Sequence, residues 1–263
     1  MKVGQQVAER VAVVTGGATG LGRSIADGLA VRGCTVVIAD INTAAGEELA
    51  AELNARGCTA SVLPIDLAVP EGAETMVEAT LATHGRLDIL VNNAGYGQGE
   101  SFFEMRSESW DLSYALNVRA VAIAMQCAGR AMKERGCGRI INVTSPASRM
   151  ALPNYAAYAA TKAALDSLTR AGAVALAPYG VQVNSLAPGM MDTVLQHKTE
   201  RQFAELEGRS DIDAFIAERT RRIPVGRRTD CAEVAAAAIW LALDAPAYIV
   251  AERLNVSGGL DRD

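Results

Sequence analysis

The feature that most restricts the fold is a junction near the start of the chain. Arg10–Thr15, RVAVVT, is a short unbroken apolar run, and GGATGLG (Gly16–Gly22) follows at once. A run without polar alternation suits a strand covered on both faces. Ile25, Leu29 and Ala30 then carry a helical pattern. A strand, a glycine-rich turn and a helix in that order begin a parallel βα arrangement, whose sheet must be covered by its own crossovers.

The alternation continues along the chain. Strands are expected at Thr35–Asp40, Thr59–Pro64, within LDILVNNAG (Leu87–Gly95), through Ile140, Ile141 and Val143, in VQVNSLAPG (Val181–Gly189), and at Arg253–Val256. Helices are expected at Ala44–Arg56, Gly72–Thr83, roughly Arg106–Arg135, from around Tyr158 to Ala177, and at Ala232–Leu243. Repeated β-α order predicts an α/β fold with a doubly wound parallel sheet flanked by helices. At 263 residues the chain fits one large domain. Half the residues are apolar and 24 are glycine, which suits a buried sheet with tight turns.

Composition argues against several functions. Aromatic residues make up 5%, the formal net charge is −5, and no basic block occurs, so neither nucleic acid nor an anionic membrane is an expected partner. No apolar run reaches spanning length. The start, MKVGQQVAER, lacks the apolar core of a signal peptide, so a cytoplasmic protein is expected. Cys34, Cys58, Cys127, Cys137 and Cys231 are odd in number and scattered, which reads as free thiols in a reducing compartment.

The glycine turn is a candidate phosphate cradle. Glycine lets the backbone approach a pyrophosphate, and a helix N-terminus presents free N–H groups. The spacing is TGxxxGxG, with Gly16, Gly20 and Gly22 at the close approaches and Thr19 and Leu21 between them. Asp40 ends the second strand, eighteen residues after Gly22, where a carboxylate can hold adenosine ribose hydroxyls. It would repel a 2′-phosphate, and Ile41 and Asn42 offer no cation, so NAD is expected rather than NADP. A helix N-cap is the plainer role for such a residue, and Asn42 or Thr43 suits it better. Asp66-Leu67 follows the third strand, where the carboxylate either meets the adenine amino group or caps a turn. Asn92 and Asn93, directly after a buried strand, either bind backbone across strand ends beside the cleft or form a turn.

The candidate reactive group is Ser145, Tyr158 and Lys162. Tyr158 and Lys162 are four apart and share one helix face. A free phenol has a pKa near ~10, too high for a base at neutral pH. A neighbouring ammonium is expected to lower it; roughly 2–3 units corresponds to about 3–4 kcal/mol. Ser145 ends an apolar run and can donate to a substrate oxygen as charge develops there. Tyr155 has Ala159 four residues later, so it lacks the cation and is a poor base. Asn117 lies inside a helical stretch, a local conflict that often marks a polar contact. His84 sits at a helix end, and His197 in a charged segment where a solvated position is expected; neither has ligand-like spacing, so no metal is expected.

Met190–Arg222 is charged and irregular between regular elements, and reads as a mobile lid over a pocket or as a solvated helical pair. With Ser145, Pro146, Ala147, Asn154, Tyr155, Met190 and Met191 are the substrate-pocket candidates. Their apolar character suits a secondary alcohol or ketone of modest size, with a sugar or polyol possible through the charged lid.

Taken together, TGGATGLG, Asp40, Asp66-Leu67, NNAG (Asn92–Gly95), Asn117, Ser145, YAATK (Tyr158–Lys162), Pro188-Gly189 with Thr193, and NVSGG are a joint pattern. From about Arg10 to Gly259 the chain resembles the short-chain dehydrogenase/reductase family, in its single-domain branch. The resemblance implies a Rossmann-type fold and a catalytic set of Asn117, Ser145, Tyr158 and Lys162. Asn117 would hold a helix kink and a relay water. The resemblance further implies that Gly16, Gly20 and Gly22 cradle pyrophosphate. Asn93, Ala94 and Gly95, and Pro188, Gly189 and Thr193, belong to the implied cofactor edge, with Thr193 on the nicotinamide side. A homotetramer paired partly through the Tyr158 helix is implied as well. The chain departs at Val250-Ala251-Glu252, where relatives often have Thr-Gly-Gln. An NAD-dependent alcohol dehydrogenase is the expected function. The alternatives are a carrier-linked 3-ketoacyl reductase, disfavoured by Asp40 and the acidic balance, and a non-catalytic NAD-binding scaffold, disfavoured by the intact catalytic set.

Overall fold

A computed structural model describes residues 10–261; residues 1–9, on which the expectation about a leader rests, lie outside the described part. Seven parallel strands form one sheet in the order β3-β2-β1-β4-β5-β6-β7. They are β1 (Val11–Thr15), β2 (Thr35–Asp40), β3 (Thr59–Pro64), β4 (Ile89–Asn92), β5 (Gly138–Val143), β6 (Val181–Pro188) and β7 (Arg253–Val256). The helices are α1 (Gly20–Val31), α2 (Thr43–Ala55), α3 (Gly72–His84), α4 (Ser107–Tyr114), α5 (Ala120–Arg135), α6 (Ala156–Leu176), α7 (Val194–Leu206), α8 (Ile212–Arg221) and α9 (Cys231–Leu243). The parallel α/β architecture is as the sequence predicts.

Strand residues alternate between two cores. Ala12 and Val14 face Ile25, Leu29 and Leu241 of α1 and α9. Val11 and Val13 face Met76, Met125 and Leu165 of α3, α5 and α6. Both faces of β1 are therefore dry, which is why RVAVVT carries no polar alternation. Strand order reverses between β1 and β4, and the crevice beyond their C-terminal ends is where such sheets bind ligands.

Two expectations change in form. The single helix expected over Arg106–Arg135 is interrupted by a π-helical turn at Ala115–Arg119, centred on Asn117. The segment 190–222, expected to be irregular, holds two capped helices. Thr193 and Asp211 accept from the backbone N–H groups of Gln196 and Ala214. Phe203, Ala204 and Phe215 form a small core of their own, with Tyr155 against it. Charged residues hid the pattern because one of them, Glu200, is wholly buried and occupies an inward-facing position.

Candidate active site

One cavity of about 1170 Å³ runs along the C-terminal ends of the strands. Its first arm is built by the turn after β1. Gly16 has φ +59°, and a Cβ on Gly22 would lie 1.9 Å from the Gly16 carbonyl oxygen. No larger residue fits that contact without moving the backbone. Thr15 Oγ1 accepts from the N–H groups of Asn93 and Ala94 at 2.9 and 3.0 Å. Asn93 Nδ2 donates to the carbonyls of Thr15 and Gly16 at 3.0 and 3.1 Å, locking the loop after β4 to the glycine turn. Asn92 turns away from the cavity and donates to Asn142 Oδ1 at 2.8 Å. Only one of the two asparagines therefore lines the cleft.

Asp40 is no helix cap. Its carboxylate accepts from the Ala18 N–H at 2.9 Å and the Asn42 N–H at 2.8 Å, while Asn42 caps α2. Asp66 accepts from the Ala68 N–H at 2.8 Å, the plain turn role, and still lines the cavity. Gly16, Thr19, Gly20, Leu21, Asp40, Ile41, Leu67, Ala94 and Gly95 share that wall. Gly22 lies behind it. A narrow groove with backbone exposed at glycines, opposite two carboxylates, fits an extended dinucleotide.

The second arm holds the reactive group. Ser145 follows β5, caps a short 3-10 turn (Pro146–Arg149), and accepts from the Ala147 N–H at 3.2 Å. Tyr158, on the first turn of α6, shares a hydrogen bond with Ser145. Lys162 stands one turn further and is 3% exposed. Its ammonium donates to the Val143 carbonyl at 2.8 Å and lies 5.5 Å from the centre of the Tyr158 ring.

The expected lowering of the phenol does not appear in this arrangement. Burial pushes the Tyr158 pKa up, opposed by the Ser145 hydrogen bond. Burial also pushes Lys162 down, to about 8, against the opposing charge of Asp166. The lysine is turned to a backbone carbonyl, and desolvation dominates the phenol.

Asn117 is buried behind the cavity wall. Its Oδ1 accepts from the Tyr96 N–H at 2.9 Å, and its Nδ2 donates to the Tyr96 carbonyl at 2.8 Å and to Thr161 Oγ1 at 2.9 Å. The π turn thus ties the loop after β4 to the helix of Tyr158. Ala147, Tyr155, Met190, Met191, Pro188, Gly189 and Thr193 line the cavity as expected. Asn154 does not. It sits in a short 3-10 turn (Pro153–Tyr155), where its backbone carbonyl accepts from the Glu100 N–H at 3.0 Å. Tyr155 stacks on Tyr158 with ring centres 4.4 Å apart, shares a hydrogen bond with Thr199, and is raised in pKa chiefly by burial. His197 is near the lid surface and meets Asp192 Oδ1 at 2.5 Å.

Further wall residues escaped the sequence reading: Tyr96, Leu112, Leu116, Leu152, Leu195 and Phe203. They carry no motif, only apolar character. Arg253 also escaped it. This half-buried arginine on β7 donates to the Ser145 carbonyl at 3.0 Å and pairs with Asp166 at 3.4 Å and Asp261 at 2.5 Å. The signal was present, as a cation inside an otherwise plain strand.

Fold and site together place the chain among doubly wound nucleotide-binding α/β proteins. A family model described as enoyl-(acyl carrier protein) reductase matches residues 16–261. Cis-4-hydroxycyclohexanecarboxylate dehydrogenase of Sinomonas cyclohexanicum is 36% identical, with 98% of each chain covered. NAD-dependent glycerol dehydrogenase of Listeria innocua is 34% identical over 96% of this chain and 94% of that protein. The crystal structure of NAD+-bound xylitol dehydrogenase superposes with a TM-score of 0.91 at 27% identity, covering 95% of this chain and 98% of that one. The chain belongs to the short-chain dehydrogenase/reductase family of oxidoreductases. Among the described residues no helix is long and apolar enough to cross a membrane.

Proposed function

We propose that the protein interconverts a secondary alcohol and its ketone with NAD as cofactor. The observation that carries this reading is the Ser145–Tyr158 hydrogen bond at the end of the glycine-lined groove, with Lys162 one turn away. Gly16 and Gly20 would hold the pyrophosphate, with Gly22 letting the turn close behind them, Asp40 the adenosine ribose, Asp66 and Leu67 the adenine edge, and Thr193 the nicotinamide end. When bound, the cofactor supplies the two-electron acceptor for the carbinol carbon and a positive ring charge.

Tyr158 takes the carbinol proton, and Ser145 donates to the same oxygen. Because burial holds the phenol protonated, Tyr158 is poised as an acid for ketone reduction at neutral pH. Alcohol oxidation needs the phenolate, so its rate rises with pH. Lys162 presents its remaining donors to the cofactor ribose and the phenolate. Asn117 positions the Tyr96 loop, and residues 190–222 close over the substrate as a lid. Relatives that act on glycerol, xylitol or a cyclic hydroxy acid support a hydroxylated small molecule as substrate.

The test is NADH formation followed by absorbance over a panel of secondary alcohols, polyols and hydroxy acids. Tyr158→Phe is expected to lower kcat by at least about 10²-fold, with NADH binding kept. Full activity in that variant would overturn the assignment. Tighter binding of NADP than of NAD would sink the role given to Asp40.

A further inference from the structure

The two arms of the cavity differ in charge. Asp40 and Asp66 line the glycine arm. At the lid, three cations line the wall: Lys198 of α7, Arg219 of α8, and Arg222 just after it. Asp192 is the one carboxylate among the described lining residues there, and it is engaged by His197.

Two of the lid's carboxylates are each shared between arginines. Glu200, wholly buried, accepts from both guanidinium nitrogens of Arg228 at 2.6 and 2.9 Å and from Arg219 Nε at 3.3 Å. One negative charge thus serves two guanidiniums. Glu218 is likewise shared by Arg209 and Arg222, at 3.1 and 2.8 Å. Each cluster keeps one positive charge in excess. Lys198 adds another, with no carboxylate within pairing distance among the described residues.

Arg219 is also held at a defined place. Its guanidinium carbon lies 5.2 Å from the Phe203 ring centre, Phe203 lies 5.2 Å from Tyr155, and Tyr155 stacks on Tyr158. The cation is therefore linked through three successive ring contacts to the phenol that handles the carbinol proton. Leu112, Leu116 and Leu152 give the same cavity stretches of apolar wall. A neutral polyol has no use for a surplus positive charge beyond an apolar stretch, whereas a carboxylate does.

We propose that the physiological substrate is a hydroxy acid (or the corresponding keto acid) whose carboxylate is separated from the carbinol by several carbons. Arg219, Lys198 and Arg222 receive that carboxylate at the lid. This deepens the dehydrogenase reading and rests on it.

The test uses 3-hydroxybutyrate, 5-hydroxyhexanoate and 7-hydroxyoctanoate, each beside its primary amide, with NAD and the full chain. At least one longer acid is expected to exceed its amide in kcat/KM by roughly tenfold or more, about 1.4 kcal/mol. Added salt should shrink that ratio. Lys198→Gln combined with Arg222→Gln, and separately Arg219→Gln, should bring the ratio toward one. Arg201→Gln, exposed on α7 and off the cavity wall, should leave it alone. If Arg219→Gln loses amide turnover through misfolding, the Lys198/Arg222 pair decides. Amides used as well as acids at every length would overturn the proposal while leaving the dehydrogenase reading intact. A preference for acids indifferent to salt and to these variants would overturn it too. Silence toward acids, amides and the neutral alcohol panel alike would sink both.

Discussion

Replacing Lys162 by Met should make the protein more stable at neutral pH and inactive. Lys162 is 3% exposed, and burial lowers its pKa from 10.5 to about 8. A shift of that size corresponds to about 3 kcal/mol of charge burial opposing the fold. The unfolded chain holds the lysine proton up to about pH 10.5, the folded one only to about pH 8. Between those values the unfolded state binds more protons, so wild-type stability rises with pH across the window. Below pH 8 the whole cost is present; above 10.5 it is gone. Met fills a similar volume without the charge, and the change leaves the Val143 carbonyl without its donor, at about 1 kcal/mol. The variant should therefore exceed wild type by about 2 kcal/mol at pH 7 and fall about 1 kcal/mol below it near pH 10.5. Urea unfolding of both proteins from pH 6 to 10.5 measures the gap, and titrating groups remote from Lys162 cancel in the difference. A gap that stays flat with pH, or a less stable variant at pH 7, would refute the assignment of that cost to Lys162.

Two further substitutions test the geometry. A Cβ at Gly97 would lie 2.3 Å from the Tyr155 hydroxyl and 2.6 Å from Tyr158 Cδ2. Gly97→Ala should lower kcat by about 10²-fold through displacement of the phenol, with NADH affinity by fluorescence titration changed less than about threefold. Ala251 has φ +62°, a left-handed conformation that costs a β-carbon about 1–2 kcal/mol. Ala251→Gly should gain about 1 kcal/mol and raise Tm by roughly 2–4 °C, after allowing for the freer unfolded chain; a lower Tm in calorimetry would count against strain there.

Much of this fold was legible because parallel sheets leave coarse marks. Val11–Val14 and Val36–Ala39 are apolar throughout because helices cover both faces, and the observed β2, β3 and β7 match the expected bounds residue for residue. The break inside Arg106–Arg135 was signalled only by Asn117, a poor helix former whose side chain is spent on Tyr96 and Thr161. Local propensity does not disclose a π turn, since its reason lies in another loop. Asn154 sits beside Tyr155 in one 3-10 turn, yet only Tyr155 lines the cavity. The Val-Ala-Glu departure pointed to Ala251, but φ was needed to make it a matter of strain.

What sequence conceals most is charge once pairing has been assigned. The net charge of −5 argues against a nucleic-acid partner, yet it is silent about a cavity lined by Asp40 and Asp66 at one end and by Lys198, Arg219 and Arg222 at the other. Segment 190–222 looks like a solvated run of mixed sign. In the fold, Glu200 and Glu218 are each divided between two arginines. The same is true of Tyr158 and Lys162. Spacing put them on one helix face, and the inference that the lysine lowers the phenol assumed an ammonium aimed at the ring. The Val143 carbonyl takes that ammonium, and burial dominates both groups. On the proposed mechanism the reactive state therefore depends on charge that arrives with the ligands. Burial holds the phenol protonated and brings the Lys162 pKa down to about 8, so that a cationic nicotinamide and a ribose hydroxyl would shift the balance toward the phenolate.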